Sequence, residues 1–193
     1  MRKVTFGGAN SLDNFIARAD HRVDWIRWNK EVSEIGREFW KTIDTVVMGR
    51  RTYETALQLG SNGYPNLQNY VFSRTWKEPV AKHIRIVSED AAVFVRRLKE
   101  QSGKGICVMG GGILGQALLE ANLIDEIGVN VHPLLLGSGI PLFHPLTRQI
   151  DLELTECRQL DNGCVVLRYS VVHSKEEKRN EQPENYCVAS RQC

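Results

Sequence analysis

The chain has 193 residues, 42% of them hydrophobic, and a formal net charge of +2 at pH 7. This length and composition predict one globular domain with a full core, and so small a charge excess argues against nucleic acid or a membrane surface as a partner. No apolar run approaches the roughly 18 residues of a membrane-spanning helix, and the five cysteines include no Cys-x-x-Cys pair, which disfavours a metal site of the zinc type and a disulfide framework.

Apolar periodicity predicts strands and helices that alternate along most of the chain. The predicted elements, in chain order, are a strand at 3–8, a helix at 29–42, a strand at 45–48 with a short helix after it, strands at 69–72 and 83–87, a helix capped by Ser88 that stops near Gly103, a strand at 106–109, a helix at 113–121, a strand at 126–131, and a hairpin of strands at 151–160 and 164–172. The first strand begins without the apolar stretch of a signal peptide, so the expected location is cytoplasmic.

The order of these elements predicts the fold class. Early alternation of strand and helix implies mainly parallel strands, and the closing hairpin adds antiparallel ones, so residues 1–173 are expected to form one mixed α/β sheet. Alternating apolar residues on the hairpin predict one buried and one wetter face. Residues 174–193 carry many charges and no periodicity, which predicts a charged C-terminal tail.

Three loops with phosphate-binding chemistry each follow a predicted strand directly. They are residues 49–52 (Gly-Arg-Arg-Thr), residues 73–74 (Ser-Arg), and the glycine run at 110–112, which opens a helix. Backbone N–H groups at a helix N-terminus bind anions, and guanidinium groups bind phosphate. The alternative for the arginines is an exposed turn, and for the glycines tight packing of strand against helix. Because ligands of open α/β sheets bind at the carboxyl ends of the strands, the three loops together predict an extended dinucleotide, NADPH rather than NADH.

The glycine run also matches the pattern Gly110-x-Gly112-x-x-Gly115 of doubly wound dinucleotide-binding folds. That pattern should close the first strand and be followed about 20 residues later by an acidic residue. Here it lies past the middle of the chain, and the corresponding position falls in the loop around Pro133. The sequence therefore predicts a nucleotide-binding loop in a different fold.

The same motifs resemble the dihydrofolate reductase superfamily and, within it, the reductase domain of the riboflavin-biosynthesis deaminase-reductases and its stand-alone bacterial relatives. The family pattern Ser-Leu-Asp-Gly-x-Ile-Ala is present at residues 11–17 with Asn14 in place of the glycine, and Pro-x-x-x-Gly-x-Gly-x-Pro-Leu-Phe is intact at 133–143. Val-Met-Gly-Arg-Arg-Thr, Val-Phe-Ser-Arg and Val-Met-Gly-Gly-Gly occur between them in the family's order. The resemblance implies a dihydrofolate reductase-like three-layer fold with helices on both faces of the sheet.

The resemblance also implies the site residues. Asp13 is expected to face the substrate and to position or relay a proton, with Glu34 as the second candidate for this catalytic role. The expected cofactor-binding residues are Gly49, Arg50, Arg51 and Thr52 for the phosphates, Ser73 and Arg74 for the adenosine end, Gly110, Gly111, Gly112, Ile113 and Leu114 for the pyrophosphate, and Ala9 and Ile16 beside the nicotinamide. A cis peptide is expected within the glycine run, as the family has it.

Two departures argue against folate as the substrate. Folate reductases place a carboxylate on the helix before the Met-Gly-Arg strand, and that position falls at Ser33, whose neighbour Glu34 points about 100° away around a helix. The arginine that holds the folate tail has no counterpart at residues 66–69.

The riboflavin-type substrate, a ribosylaminopyrimidine phosphate, needs a second cationic site besides that of the cofactor. His21, Arg22 and Arg27 are the candidates for it, and the alternative is ordinary exposed charge. The zinc motif of the deaminase half is absent from the sequence.

The leading hypothesis is an NADPH-dependent reductase of a small heterocyclic substrate, resembling 5-amino-6-(5-phosphoribosylamino)uracil reductase. The alternatives are a weak or substitute dihydrofolate reductase and a non-catalytic nucleotide-binding protein. Family analogy implies a homodimer, with the sheet edge and the loop at 133–143 as candidate contacts.

Overall fold

The computed structural model describes residues 1–76, 78 and 81–173. The predicted charged tail at 174–193 lies outside these residues. The helices are α1 (Lys30–Lys41), α2 (Arg50–Gln58), α3 (Ala91–Glu100) and α4 (Gly112–Glu120). The strands are β1 (Val4–Ser11), β2 (Phe15–Ala17), β3 (Ile43–Gly49), β4 (Gln68–Phe72), β5 (Ile84–Val87), β6 (Gly105–Met109), β7 (Glu126–His132), β8 (Ile140–Pro141), β9 (Leu152–Gln159) and β10 (Val165–Val171).

Eight strands form one sheet in the order β5-β4-β3-β6-β1-β7-β10-β9. The strands from β5 to β7 are parallel to their neighbours, whereas β10 is antiparallel to both β7 and β9. The mixed, mainly parallel sheet with its C-terminal hairpin is therefore confirmed. The short strands β2 and β8 pair with each other in a second sheet, which the sequence pattern did not indicate.

Helices pack on both faces of the large sheet and make three layers. On one face, Phe94 and Leu98 of α3 and Leu118 of α4 join a core with Phe6 and Val108 from the sheet. On the other face the aromatic residues of α1 and α2 cover the centre of the sheet; this second core includes Trp40, Tyr53, Val46 and Met48. Burial of both sheet faces explains why these parallel strands are nearly continuous apolar runs.

The hairpin differs from its sequence-based prediction. Helix α1 covers β10, because Val32 and Ile35 pack against Val166. The outer strand β9 has no such cover; its side chains are exposed or half-buried along its whole length, and Leu154 is 53% exposed. The prediction of one buried face is therefore wrong for β9. Apolar and polar residues alternate along this edge strand, but no second layer among the described residues covers its apolar side.

Local sequence signals predict the N-terminus of α1 correctly and place the N-terminus of α3 two residues too early. Asn29 caps α1, and its side-chain Oδ1 accepts the backbone N–H of Val32 at 2.8 Å. Helix α3 begins two residues later than expected, because Asp90 rather than Ser88 is its N-cap and accepts the N–H of Val93 at 3.0 Å.

In the part of the chain that the structure describes, no helix is long and apolar enough to cross a bilayer.

Candidate functional site

A cavity of about 740 Å³ lies at the carboxyl ends of β1, β3, β4, β5 and β6. Its size falls within the range of about 300–1,000 Å³ that is usual for small-molecule sites. Every residue expected to bind the cofactor lines it: Ala9, Ile16, Gly49, Arg50, Arg51, Thr52, Ser73, Arg74, Gly110, Gly111, Gly112, Ile113 and Leu114. The two expected catalytic residues, Asp13 and Glu34, are not among the lining residues.

The loop after β3 brings two arginines to the cavity, and they differ in whether neighbouring side chains bind their guanidinium groups. Gly49 is the N-cap of α2, so both arginines lie in the first turn of that helix. Arg50 is held by its neighbours, because its Nε lies 3.2 Å from a carboxylate oxygen of Glu54 and its Nη1 donates to Thr75 Oγ1 at 2.7 Å. Arg51 has no carboxylate within 4 Å among the described residues. Its charge is therefore available to a ligand.

The turn after β4 presents a third arginine. The hydroxyl oxygen of Ser73 accepts the backbone N–H groups of Thr75 at 3.3 Å and Trp76 at 3.0 Å, which fixes the turn. Arg74 is exposed at the cavity and, within residues 1–76, 78 and 81–173, makes no ion pair. Because β4 is next to β3, Arg51 and Arg74 line the same half of the cavity.

The glycine run after β6 turns through left-handed backbone. Gly110 has φ 63° and Gly111 has φ 31°, and Gly111 is the N-cap of α4. No peptide bond among the described residues is cis, so the expected cis peptide is wrong. Two successive positive φ angles reverse the chain with trans peptides, and glycine adopts such angles without steric cost. The first turn of α4 thereby opens onto the cavity.

Two glycines of the run, Gly110 and Gly112, also meet close neighbours. A Cβ on Gly110 would lie 2.5 Å from the Thr52 side chain, and a Cβ on Gly112 would overlap the ring of His144. Gly115 packs against the ring of Phe6, so the third glycine of the pattern serves contact between helix and sheet. The packing alternative therefore holds for Gly110, Gly112 and Gly115, and Gly110 and Gly112 also line the cavity.

The other half of the cavity is apolar. It is formed by the end of β1, by β2, by the segment that follows β2 and by β8; its lining residues are Gly7, Gly8, Ala9, Ile16, Ala17, His21, Val23, Ile26, Ile140 and Pro141. We call this half the β1 end of the cavity, and the half lined by Arg51 and Arg74 the β4 end. The only side chain with an ionisable group among these described lining residues of the β1 end is His21.

Asp13 holds a neighbouring loop. One of its carboxylate oxygens accepts the backbone N–H of Leu136 at 3.1 Å and the other accepts that of Gly137 at 2.7 Å. The Ser11 hydroxyl, followed by these two backbone groups, lowers the pKa of Asp13, so the carboxylate is ionised at neutral pH. Asp13 therefore ties the loop at 133–143 to the end of β1.

Asn14 has φ 69°, in the left-handed region. The family pattern has glycine here, and asparagine is the substitute that tolerates this conformation with little strain. Asparagine at this position is thus compatible with the left-handed backbone that the structure shows.

Glu34 lies away from the cavity. Its side chain is 51% exposed, sits 3.8 Å from Lys30 Nζ, and borders a separate groove between α1 and the hairpin, together with Glu156 and Arg168. Ser33, the position at which folate reductases carry their carboxylate, donates its hydroxyl to the carbonyl of Asn29. Helix α1 thus contributes no carboxylate to the lining of the cavity.

His132, at the end of β7, is fully buried and does not line the cavity. Its Nδ1 accepts the backbone N–H of Arg27 at 3.2 Å, its ring packs edge-on against Trp25, and the Cys164 thiol lies 3.3 Å from Nδ1. Burial, and then the nearby Arg27 charge, lower the pKa of His132. A neutral histidine in these contacts has a structural role.

Sequence reasoning missed the turn after β5 and one residue near α4. Ser88, Glu89 and Asp90 line the β4 end of the cavity, and His144, which follows β8 and lies beside Gly112, lines the cavity as well. The turn after β5 satisfies the same rule that found the other loops, namely a position at the carboxyl end of a parallel strand. In the sequence these residues carry only the signal of a helix cap, which does not distinguish a lining residue from an ordinary helix start.

The comparisons with known proteins agree with this geometry. Residues 2–166 match the model of the RibD C-terminal domain family, and the chain belongs to that family. The uncharacterized protein YwjB of Bacillus subtilis (strain 168) is 36% identical over 170 residues, which is 87% of this chain and 97% of YwjB.

Two solved structures share the fold. A candidate riboflavin biosynthesis protein of Shewanella sp. PV-4 superposes with a TM-score of 0.78 at 23% identity over 90% of this chain and 100% of that protein. The dihydrofolate reductase of Enterococcus faecalis, solved with NADP(H), superposes with a TM-score of 0.61 at 16% identity over 88% of this chain and 96% of that protein. The fold is therefore dihydrofolate reductase-like.

Proposed function

We propose that this protein is an NADPH-dependent reductase that transfers a hydride to a small heterocyclic substrate, as a reductase of the riboflavin-pathway type. One observation carries the proposal: the loops after β3, β4 and β6, far apart in sequence, line one cavity together with the apolar end of β1. Ligands of open α/β sheets bind at this edge. NADP(H) in the dihydrofolate reductase of the same fold supports the choice of cofactor.

The lining residues fit a dinucleotide phosphate. Gly110 and Gly111 allow backbone N–H groups to approach a pyrophosphate at the N-terminus of α4. Arg51 and Arg74 bring positive charge that no described carboxylate neutralises. Arg74 beside the Ser73 hydroxyl suits the 2′-phosphate that distinguishes NADPH from NADH.

When bound, the reduced nicotinamide supplies the hydride. Ala9 and Ile16 form apolar walls that exclude water from the β1 end of the cavity. Asp13 positions the loop at 133–143, whose last residues lead through β8 to the cavity wall at Ile140 and Pro141. We therefore assign Asp13 a positioning role and give Glu34 none, because it borders a separate groove.

Neither alternative is favoured by an observation on this chain. A folate reductase needs a carboxylate at the pterin, whereas the acidic residues that line the described cavity, Glu89 and Asp90, lie at the β4 end. A non-catalytic nucleotide-binding protein would not require an apolar compartment beside the cofactor groove.

The test is hydride transfer from NADPH deuterated at C4 to a panel of pyrimidine and pteridine acceptors, with the product examined by mass spectrometry. A product that gains one deuterium supports the proposal, and the Asp13→Asn variant should slow its formation. Tight binding of NADPH without transfer to any acceptor would favour the non-catalytic alternative. Turnover of dihydrofolate alone would favour the folate alternative.

We further propose that the protein acts as a homodimer in the cytosol. The edge strand β9 carries exposed Leu152 and Leu154, and Leu135 in the loop at 133–143 is also exposed. An uncovered edge strand with exposed leucines is a surface at which a second copy can pair. Sedimentation of the wild type and of Leu154→Glu tests this, since the variant should be monomeric while its NADPH affinity is unchanged.

A further inference from the structure

The charges around the cavity are divided unequally between its two ends. The arginines that line it, Arg50, Arg51 and Arg74, all follow β3 or β4. In the strand order, β3 is two strands and β4 three strands from β1. At about 4.8 Å per strand, these backbone positions lie roughly 10 and 14 Å from the axis of β1. A charge at such a distance in an open cavity is largely screened at physiological ionic strength.

The β1 end carries no lysine or arginine among its described lining residues. Its walls are aliphatic side chains, glycine and proline, together with the imidazole of His21; a second imidazole, that of His144, lines the cavity beyond β8. An aliphatic wall cannot replace the water that a phosphate loses on entering, so a phosphorylated ligand would be penalised at this end.

The segment between β2 and α1 that contributes His21 and Val23 to the β1 end has no excess of positive charge at residues 18–24. Arg22 Nε lies 2.7 Å from Asp20 and Arg18 Nε lies 2.7 Å from Asp24, and Arg22 approaches Asp24 as well at 3.6 Å. These pairs are exposed and individually weak, but they leave this segment with as many carboxylates as guanidinium groups. Asp13 adds one further negative charge.

Arg27, the remaining candidate for a phosphate, belongs to another surface. Its backbone N–H donates to His132 Nδ1, and its guanidinium donates to the carbonyl of Asn162, in the turn of the hairpin, at 3.5 Å. Arg27 is not a lining residue of the cavity. The sequence-based hypothesis of a second cationic site made of His21, Arg22 and Arg27 is therefore reduced to His21 alone.

We infer that the substrate of this reductase carries no phosphate group: the β1 end accepts a flat, uncharged heterocycle, bound through apolar contact and backbone hydrogen bonds. This inference rests on the proposed function, and it separates this chain from reductases that act on ribosylaminopyrimidine phosphates. Aliphatic walls and a single imidazole suit a neutral ring, which needs little more than shape and a few hydrogen bonds for recognition.

The experiment compares 5-amino-6-(5-phosphoribosylamino)uracil with its dephosphorylated form at pH 8, by calorimetric binding to NADP⁺-saturated protein and by turnover with NADPH. The oxidised cofactor keeps Arg51 and Arg74 occupied but cannot donate a hydride, so that binding at the β1 end is measured without reaction. The wild type should bind the dephosphorylated form at least as tightly as the phosphorylated one. Absence of measurable binding of the phosphorylated form has the same meaning when the dephosphorylated form binds, because the phosphate then contributes no affinity.

A gain-of-function variant provides the matched comparison. Val23→Arg places a guanidinium at the β1 end, and an arginine–phosphate pair is worth about tenfold to a hundredfold in affinity. Val23→Arg should therefore bind the phosphorylated form about tenfold more tightly relative to the dephosphorylated one, and Val93→Arg, on an exposed face of α3, should not.

A wild type that binds or reduces the phosphorylated form tenfold better than the dephosphorylated one would overturn the inference. The proposed function is judged separately, by the initial titration with NADPH. Failure of NADPH to bind refutes the reductase, whereas NADPH binding with a preference for the phosphorylated ligand refutes only the inference about the substrate.

Discussion

Replacement of Gly110 by alanine should disturb the contact between the glycine run and Thr52 of the loop after β3. Gly110 has φ 63°, and its added Cβ would lie 2.5 Å from both Cγ2 and Oγ1 of Thr52. The left-handed backbone costs about 1–2 kcal/mol for an L-residue. The shifts of neighbouring atoms that are needed to remove the overlap with Thr52 cost about 1–3 kcal/mol more, which is the usual cost of overpacking. Gly110→Ala should therefore lower the free energy of unfolding by about 2–5 kcal/mol.

A double-mutant cycle separates the two contributions. Thr52→Ala removes the two closest atoms and leaves Thr52 Cβ at 3.0 Å from the new methyl group. In the double variant the steric cost should largely disappear, which gives a coupling energy of about 1–3 kcal/mol, while the backbone cost remains. Urea unfolding of the four proteins measures these free energies, and an NADPH titration of each measures the effect on the cavity.

Gly36→Ala is the matched control. Gly36 lies inside α1, and a Cβ there would meet no atom within 4 Å. The same substitution should stabilise the protein by about 0.5–1 kcal/mol, since alanine is favoured over glycine within a helix. Equal destabilisation by Gly110→Ala with and without Thr52→Ala would refute the contact between the loops.

Three further predictions concern single side chains at the cavity and beside it. Arg74→Gln should weaken NADPH binding about 5- to 30-fold, which is the loss expected for one exposed charge-assisted contact, and should leave NADH binding unchanged. The control in the same titration is Arg96→Gln, because Arg96 is exposed on α3. Asn14→Gly should leave the thermal midpoint nearly unchanged, whereas Asn14→Val should destabilise by more than about 1 kcal/mol because of its φ of 69°. We expect the Asp13 carboxylate, which accepts the N–H of Leu136, to protect this amide from hydrogen exchange. Because the pKa of Asp13 is lowered in the fold, the protection should persist above that pKa and weaken as the pH falls through it, and an unchanged exchange rate in Asp13→Ala would contradict this.

The loops of the site were predictable because their positions follow from elementary rules. Strands β3, β4 and β6 end at Gly49, Phe72 and Met109, where the three loops begin, and the carboxyl ends of parallel strands lie at one edge. Knowledge of the exact sheet order was not needed. The long helices were predicted for a similar reason, since Asn29 and the apolar spacing after it determine α1.

Other features depend on tertiary contacts that no local pattern contains. Strands β2 and β8 have three and two residues, which is too short for a period to be recognised. The exposure of β9 depends on which strand α1 covers, and the same placement removes Glu34 from the cavity. The trans, left-handed glycine run depends on its fit against Thr52 and His144, which are distant in sequence.

The most direct test of the central claim is a titration of the purified protein with NADPH and NADH, followed by tryptophan quenching and by energy transfer to the reduced nicotinamide. The cavity with Arg51 and Arg74 predicts micromolar binding of NADPH and binding of NADH that is at least several-fold weaker. Equal affinities for the two would contradict the assignment of Arg74 to the 2′-phosphate. Absence of binding for both would contradict the assignment of the cavity to a nicotinamide cofactor, and with it the proposed reductase.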